Sequence, residues 1–283
     1  MDGLQGLANY PLPRRGVIMT GLISGFTLAT TRVEAQAIHT DATGLEAGET
    51  TVPTNQGSLP AYFARPAGAG PFPIVLVIEE IFGVHEYIKD TCRRLAKAGY
   101  LAVAPELYAR IGDLSKMTDV SAIVRDVISK TPDTQLLLDL DAAAIWAAAN
   151  HGDPARLVVT GFCRGGRDTW LYAAHNSALK AAVAWYGPVG GTPSDIQPHN
   201  AADVATELKA PLLGLYGGQD AGIPVADVRA ATAKATGAGK TVTIHVFDDA
   251  PHGFHADYRP SYRKADADTG WQEMLQWFSK YLA

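Results

Sequence analysis

The sequence predicts an α/β fold with a mostly parallel sheet and helices on both faces. From Ser58 onward, short apolar runs alternate with amphipathic helical patterns, as in chains that build parallel sheets. Several runs are continuous and rich in β-branched residues, as expected for strands buried on both faces. The candidate strands cover residues 59–64, 74–78, 100–104, 157–160, 181–186, 212–216 and 242–247.

Helical patterns lie between these runs. In residues 87–98, apolar side chains recur at i, i+4, i+7 and i+8, and Gly99 follows at the position of a C-terminal cap. Further helices are predicted over 134–149 and 271–282. The segment 187–200 is rich in Gly and Pro and is predicted to be a loop. Strands and helices resume on both sides of it, so we expect a single domain over 38–283.

Composition and charge exclude several classes of protein. The chain has 283 residues, of which 47% are hydrophobic and 19% charged, as in an ordinary globular protein rather than a disordered one. Its 24 basic and 29 acidic residues give a net charge of −5, which argues against nucleic acid as a partner. Its two cysteines, Cys92 and Cys163, allow one disulfide at most.

The first 37 residues resemble an export signal. Arg14 and Arg15 precede a weakly apolar run over 16–30, and the small-x-small sequence at 35–37 suits a signal peptidase. Paired arginines before a run diluted by Gly and Thr favour a twin-arginine signal, which is an address and not an anchor. We therefore expect a periplasmic or secreted protein without stable membrane anchoring. The alternative is an N-terminal extension on a cytoplasmic protein.

The most specific motif follows the candidate strand at 157–160. Residues 161–166 read Gly-Phe-Cys-Arg-Gly-Gly, and a helical pattern begins at once. This is the pattern of the nucleophile elbow of the α/β-hydrolase fold, with Cys163 in the position usually held by serine. The N-terminus of the helix that follows favours a thiolate. The alternative is a glycine-rich turn that carries an ordinary buried thiol.

Partners for Cys163 follow in the chain order of that fold. Asp220 comes after the candidate strand 212–216, and His252 comes after 242–247. A cysteine nucleophile needs a base, and the base needs an acid that orients it. Asp248 and Asp249 are competing acids, but they lie too close to His252 along the chain for easy orientation.

A metal site is not predicted. His252 and His255 have i, i+3 spacing, but no carboxylate or cysteine spacing completes a ligand set. We expect no cofactor.

Five motifs together resemble the dienelactone hydrolase (carboxymethylenebutenolidase) family. The likeness runs from about residue 59 to the C-terminus, and no single motif carries it. The motifs are Glu-Glu-Ile-Phe-Gly at 79–83, Pro-Glu-Leu-Tyr-Ala-Arg at 105–110, the elbow at 161–166, Asp220, and Pro-His-Gly-Phe at 251–254.

The resemblance implies roles for residues of this chain. Cys163, Asp220 and His252 would form the triad, and Glu80 would contact the nucleophile at rest and help to generate its thiolate. The backbone N–H groups of Ile81 and Arg164 would form the oxyanion hole. The alternative for Glu80 is a structural salt bridge at the end of a strand.

The resemblance also concerns the substrate. Arg110 matches a family arginine that holds a substrate carboxylate, a task that suits the planar guanidinium; the alternative is a surface charge. The family's second such arginine lies four residues after the catalytic histidine, where this chain has Ala256. Arg259 and Arg263 remain candidates to replace it. Two aromatic residues, Tyr108 and Trp185, complete the substrate-binding candidates, and for Trp185 packing in the core is an equal alternative.

Together these features predict a monomeric hydrolase that opens a small-molecule lactone or ester through a thioester at Cys163. A carboxylesterase of broader specificity is the first alternative, which the missing arginine favours. The second alternative is a non-catalytic homologue in which Cys163 responds to oxidation.

Overall fold

A computed structural model describes residues 38–283; the predicted export signal at 1–37 lies outside this range. One sheet of eight strands runs through it in the order β1-β2-β4-β3-β5-β6-β7-β8. Strands β1, β2 and β4 pair antiparallel, and all the other neighbours are parallel. The strands are β1 Leu45–Thr54, β2 Gly57–Pro66, β3 Phe72–Ile78, β4 Leu101–Pro105, β5 Gly152–Phe162, β6 Ala181–Trp185, β7 Leu212–Gly217 and β8 Val242–Phe247.

Five longer helices pack on this sheet. They are α1 Glu86–Lys97, α2 Asp133–Ala149, α3 Arg164–His175, α4 Val225–Gly237 and α5 Lys264–Leu282. Short helical turns occupy Leu114–Lys116, Val120–Ala122, Ile123–Val127, Ile128–Lys130 and Ala201–Val204. None of the helices in 38–283 is long and apolar enough to cross a membrane.

The helices lie on both faces of the sheet, as β7 makes clear. Leu215 packs toward Gly270 of α5, whereas the hydroxyl of its neighbour Tyr216 accepts a hydrogen bond from Trp170 of α3. Successive side chains of a strand point to opposite faces, so α3 and α5 cover opposite sides. The predicted mostly parallel α/β sheet is confirmed.

Strand β1 escaped prediction because it shows little hydrophobic signal. Its sequence is Leu-Glu-Ala-Gly-Glu-Thr-Thr-Val-Pro-Thr, and only Val52 is buried. It forms a hairpin with β2 at the sheet edge. By contrast, β4, β6 and β7 are buried along their whole length.

The parallel strands end at one edge of the sheet. In such sheets, catalytic and binding residues lie just beyond the carboxyl ends of the strands. A site is therefore expected near the residues that follow Ile78, Phe162, Trp185, Gly217 and Phe247.

Candidate active site

Cys163 lies on a sharp turn between β5 and α3. Its backbone has φ +54° and ψ −116°, a conformation that L-residues rarely adopt and that tends to occur at functional sites. The turn is held in place because the N–H of Cys163 donates to the carbonyl of Trp185 at 3.0 Å. Arg164 then begins α3, so the sulfur sits at the positive end of a helix.

Glycines allow this turn to pack tightly. A Cβ on Gly161 would lie 2.2 Å from the carbonyl oxygen of Gly165. A Cβ on Gly165 would lie 2.5 Å from the carbonyl oxygens of both Ile78 and Glu79. The start of α3 therefore presses directly on the end of β3, which brings Cys163 beside the segment that carries Glu80 and Ile81.

The predicted triad residues come together beside this turn. His252 Nδ1 lies 2.6 Å from Asp220 Oδ2, and Cys163 interacts electrostatically with the imidazole. The competing acids Asp248 and Asp249 are both exposed. The structure thus pairs His252 with Asp220.

The electrostatics of His252 favour an imidazolium. Burial by itself lowers the pKa of His252, but the negative charge on Cys163 and the hydrogen bond with Asp220 raise it to about 10. A positively charged imidazole is stabilised by nearby negative charge. The arrangement therefore places His252, as a proton donor, in electrostatic contact with Cys163.

Glu80 follows β3 and is completely buried. Its Oε1 accepts from Arg259 Nη2 at 3.0 Å, and its Oε2 accepts from the hydroxyl of Tyr258. His85 Nε2 lies 3.8 Å from Oε2. Burial raises the pKa of Glu80, yet the charge of Arg259, the nearby His85 and the hydrogen bond from Tyr258 bring it down to about 2. Glu80 is therefore an anion.

These contacts differ from the resting contact between Glu80 and the nucleophile that the resemblance implies. Both Glu80 oxygens accept hydrogen bonds, from Arg259 and Tyr258, and Cys163 interacts electrostatically with His252. The salt bridge considered as the alternative for Glu80 is formed, but with a partner that itself belongs to this pocket.

Arg259, one of the two candidates to replace the arginine absent at Ala256, lies beside Glu80. Its side chain is 3% exposed, and both Cys163 and Tyr186 act on it electrostatically. Arg263, the other candidate, is half-exposed and pairs with Asp266 at 2.5 Å. The residue that could meet a substrate anion near the triad is thus Arg259.

Tyr186 also reaches the site, and its position directly after β6 is the signal for it in the sequence. It is a buried non-glycine residue with φ +36°, and its ring centroid lies 5.1 Å from that of His252. Its hydroxyl lies 3.4 Å from the hydroxyl of Tyr87, which in turn contacts His255 Nδ1 at 2.6 Å. This buried chain supports one side of the triad histidine.

The two predicted oxyanion donors lie on segments that pack against each other. Arg164 is the first residue of α3, where backbone N–H groups have no partner within the helix. Ile81 comes two residues after Glu79, against whose carbonyl the start of α3 packs at Gly165. The assignment of these two N–H groups to an oxyanion hole stays a prediction.

Three predicted substrate-binding residues are placed elsewhere. Arg110 binds Asp139 and also donates to Thr54 Oγ1 at 2.8 Å, next to β1, which is four strands from β5. The buried Tyr108 directs its hydroxyl toward Asp168 of α3 at 3.4 Å. Trp185 is fully buried and donates to Thr160 Oγ1 at 3.1 Å, so it is a core residue. The structure does not bring these side chains to the triad.

The second cysteine, His255 and the metal site considered from the sequence complete the set of candidates. Cys92 and Cys163 are both free thiols. His255 is buried, and burial drives its pKa well below the usual value. Within 38–283, no group of three or more His, Cys, Asp and Glu side chains is placed to hold a metal ion.

Comparison with known proteins identifies the family of this chain. The sequence model of the dienelactone hydrolase family matches residues 59–282. A protein of Methylorubrum extorquens named "Putative carboxymethylenebutenolidase" is 56% identical over 276 residues, which is 97% of this chain and 95% of that protein. A protein of Escherichia coli K12 with the same name is 51% identical over 259 residues, which is 91% of this chain and 96% of that protein.

A solved structure shows the same fold. The crystal structure described as a "Putative Dienelactone Hydrolase" from Klebsiella pneumoniae superimposes with a TM-score of 0.82 at 53% identity, over 84% of this chain and 99% of that one. The architecture is therefore that of the α/β-hydrolases, and the chain belongs to the dienelactone hydrolase family.

Proposed function

We propose that this protein hydrolyses a small lactone or carboxylic ester, with Cys163 as the nucleophile and His252 and Asp220 as its partners. The observation that carries the proposal is the hydrogen bond of His252 with Asp220 together with its electrostatic interaction with Cys163, at a turn where Cys163 has φ +54°. Such a constellation activates a nucleophile in hydrolases of several folds. The names of the close relatives support a dienelactone-like substrate.

The first half of the reaction forms a thioester. The thiolate of Cys163 attacks the carbonyl carbon, and the developing oxyanion accepts hydrogen bonds from the N–H groups of Ile81 and Arg164. The carbon–oxygen bond of the ring or ester then breaks. His252 donates its proton to the leaving alkoxide, which in a lactone stays attached to the acyl group.

The second half returns the free enzyme. Neutral His252, oriented by Asp220, takes a proton from water as the water attacks the thioester carbonyl. The carbon–sulfur bond breaks, so the acid is released and the thiolate and imidazolium form again. No redox or cofactor chemistry enters this sequence of steps.

Arg259 is the group we assign to a substrate carboxylate. It is buried beside Glu80, Tyr258 and the nucleophile, and a planar guanidinium matches a carboxylate well. A substrate anion would compete with Glu80 for this cation. Binding of an anionic substrate is then coupled to release of Glu80 next to Cys163.

The first experiment follows hydrolysis of a dienelactone by its ultraviolet absorbance. We expect Cys163→Ala to lower kcat by at least about 10³-fold. The matched control is Cys92→Ala, which removes the other buried thiol and should keep kcat within about twofold of the wild type. Full hydrolysis by Cys163→Ala would overturn the proposal.

A carboxylesterase of broader specificity is the second candidate, favoured by Ala256 in place of the family arginine. It is separated from the first by comparing an anionic lactone with a neutral ester. The test uses Glu80→Gln/Arg259→Met, because removing Arg259 alone would strand a buried carboxylate. If Arg259 binds the substrate anion, this variant raises KM for the anionic lactone about 10-fold or more and leaves KM for the neutral ester unchanged. Equal effects on both substrates would favour the broader esterase.

A further inference from the structure

A second pair of carboxyl groups lies behind the candidate active site. Glu79 directly follows β3, and Glu106 directly follows β4. A Cβ on Gly83 would lie 3.2 Å from Glu106 Oε2 and 3.8 Å from Glu79 Oε2. The two carboxyl groups therefore lie near the same glycine, and they influence each other electrostatically.

The bonds around this pair are reciprocal. Glu79 Oε1 accepts from the backbone N–H of Leu107 at 2.7 Å, which belongs to the segment after β4. The backbone N–H of Val84, in the segment after β3, interacts with Glu106 and favours its charged form. Each carboxyl group thus interacts with the chain segment that carries the other one.

The second oxygen of Glu79 requires a proton. Glu79 Oε2 is fully buried, and no N–H or hydroxyl group in 38–283 donates to it. Its polar neighbour is another carboxyl oxygen, and two such oxygens bond only when one of them carries a proton. Burial next to Glu106 raises the pKa of Glu79 well above its usual range. Glu79 is thus the proton carrier and Glu106 the acceptor.

The surroundings of the two groups explain this asymmetry. Burial raises the pKa of Glu106 as well, although Lys89 of α1 favours its charged form and Glu49 of β1 opposes it. Glu106 also borders a cavity of about 430 Å³ that His85 and Asp113 line, and its pKa is raised less than that of Glu79. Glu79 has no such opening and faces the buried phenol of Tyr108.

We propose that Glu79 and Glu106 share one proton and act as positioning residues that fix the backbone from Glu80 to Val84. This segment includes Ile81, whose N–H we assign to the oxyanion hole. Only the role of the Ile81 N–H in the oxyanion hole rests on the proposed function, since the shared proton and the fixed backbone do not depend on catalysis. Loss of the proton would place two buried negative charges together, and their repulsion would free the backbone from Glu80 to Val84.

Infrared difference spectroscopy tests the shared proton directly. We expect a band from a protonated buried carboxyl group at neutral pH that is absent from Glu79→Gln and present in Glu49→Gln, the matched control on the exposed hairpin. Thermal unfolding gives a second readout. An acid with a raised pKa in the folded state loses stability as pH rises above its unfolded pKa, so Glu79→Gln should gain stability relative to the wild type from about pH 5 upward. Absence of the band, or a pH-independent difference in stability, would overturn the shared proton.

Kinetics tests the positioning role. Glu79→Gln keeps a donor toward Glu106 and an acceptor for Leu107, so we expect kcat within about threefold of the wild type. Glu79→Met keeps the size of the side chain but loses the donor toward Glu106 and the acceptor for Leu107. It should lower kcat about 10- to 100-fold at nearly constant KM, because a displaced oxyanion donor affects the transition state. A wild-type kcat in Glu79→Met would overturn the positioning role. Hydrolysis that survives Cys163→Ala would instead sink the proposed function and leave the infrared band unchanged.

Discussion

Arg259 Nη2 lies 3.0 Å from Glu80 Oε1, and the two side chains are 3% and 0% exposed. The pair joins the loop after His252 to the segment after β3, so it holds together the two parts of the pocket that come from the most distant stretches of sequence. A buried ion pair of this kind is costly to form but far more costly to break on one side. The pair lies in the pocket that holds Cys163. A change in the charge of either side chain is therefore expected to change the stability of this pocket.

We predict that Arg259→Met destabilises the protein by about 3–5 kcal/mol, because it leaves Glu80 charged and buried. The double variant Glu80→Gln/Arg259→Met should recover most of that loss, since neither charge remains. The measurement is urea unfolding at neutral pH. The control is Arg263→Met, which breaks a partly exposed pair with Asp266 and should cost less than about 1 kcal/mol. Equal losses for the single and double variants would contradict the assignment.

Much of the candidate site could be predicted because its residues follow strands. Cys163, Asp220 and His252 each come shortly after the carboxyl end of a parallel strand, and such ends meet at one edge of the sheet. The glycines at 161 and 165 were informative for a similar reason, because the local turn itself requires them. Chain order and turn chemistry can both be read from one sequence.

The contacts of Arg259 and Arg110 could not be predicted in the same way. Both lie in irregular segments, Arg259 after His252 and Arg110 after β4, where neither spacing nor periodicity fixes the direction of a long side chain. Arg110 is drawn to Asp139 on α2, whereas Arg259 reaches Glu80 across 179 residues of sequence. Ion pairs between distant segments depend on the finished fold.

The charge state of His252 gives a second prediction. The thiolate of Cys163 is the leading factor that raises the pKa of His252 against burial, with Asp220 next, to about 10. In Cys163→Ala we therefore expect the pKa of His252 to fall by at least about one unit. The imidazole protons followed by NMR across a pH titration measure this. An unchanged pKa in Cys163→Ala would show that no thiolate faces the imidazole.

The tight packing of the turn gives a third prediction. Alanine usually stabilises a helix relative to glycine, but a Cβ on Gly165 would lie 2.5 Å from two backbone oxygens of β3 and the residue after it. Gly165→Ala should therefore cost about 3 kcal/mol or more and lower hydrolysis, because α3 must move away from Ile81. Gly190→Ala is the control, since its Cβ would have no heavy atom within 4 Å, and it should change stability by less than about 0.5 kcal/mol. The measurement is the free energy of unfolding of each variant, compared with that of the wild type.

The two thiols should differ sharply in reactivity. Cys163 is 4% exposed and faces His252, whereas Cys92 is completely buried and its burial raises the pKa of its thiol. Because the thiolate is the reactive form, we predict that iodoacetamide alkylates Cys163 and leaves Cys92 intact in the folded protein. Mass spectrometry of tryptic peptides identifies the modified residue, and hydrolysis should decline in step with alkylation.

The same difference separates catalysis from a redox role. Peroxide should oxidise Cys163 first, and a thiol reductant should restore hydrolysis as long as oxidation stops at the sulfenic acid. Freshly reduced protein that is folded, carries a stable sulfenic acid at Cys163 after mild oxidation, and turns over neither lactone nor neutral ester would favour the redox-responsive alternative. Turnover by the reduced enzyme, lost on oxidation, makes oxidation an inactivation of the nucleophile, because the electron pair that attacks the carbonyl is then held in the sulfur–oxygen bond.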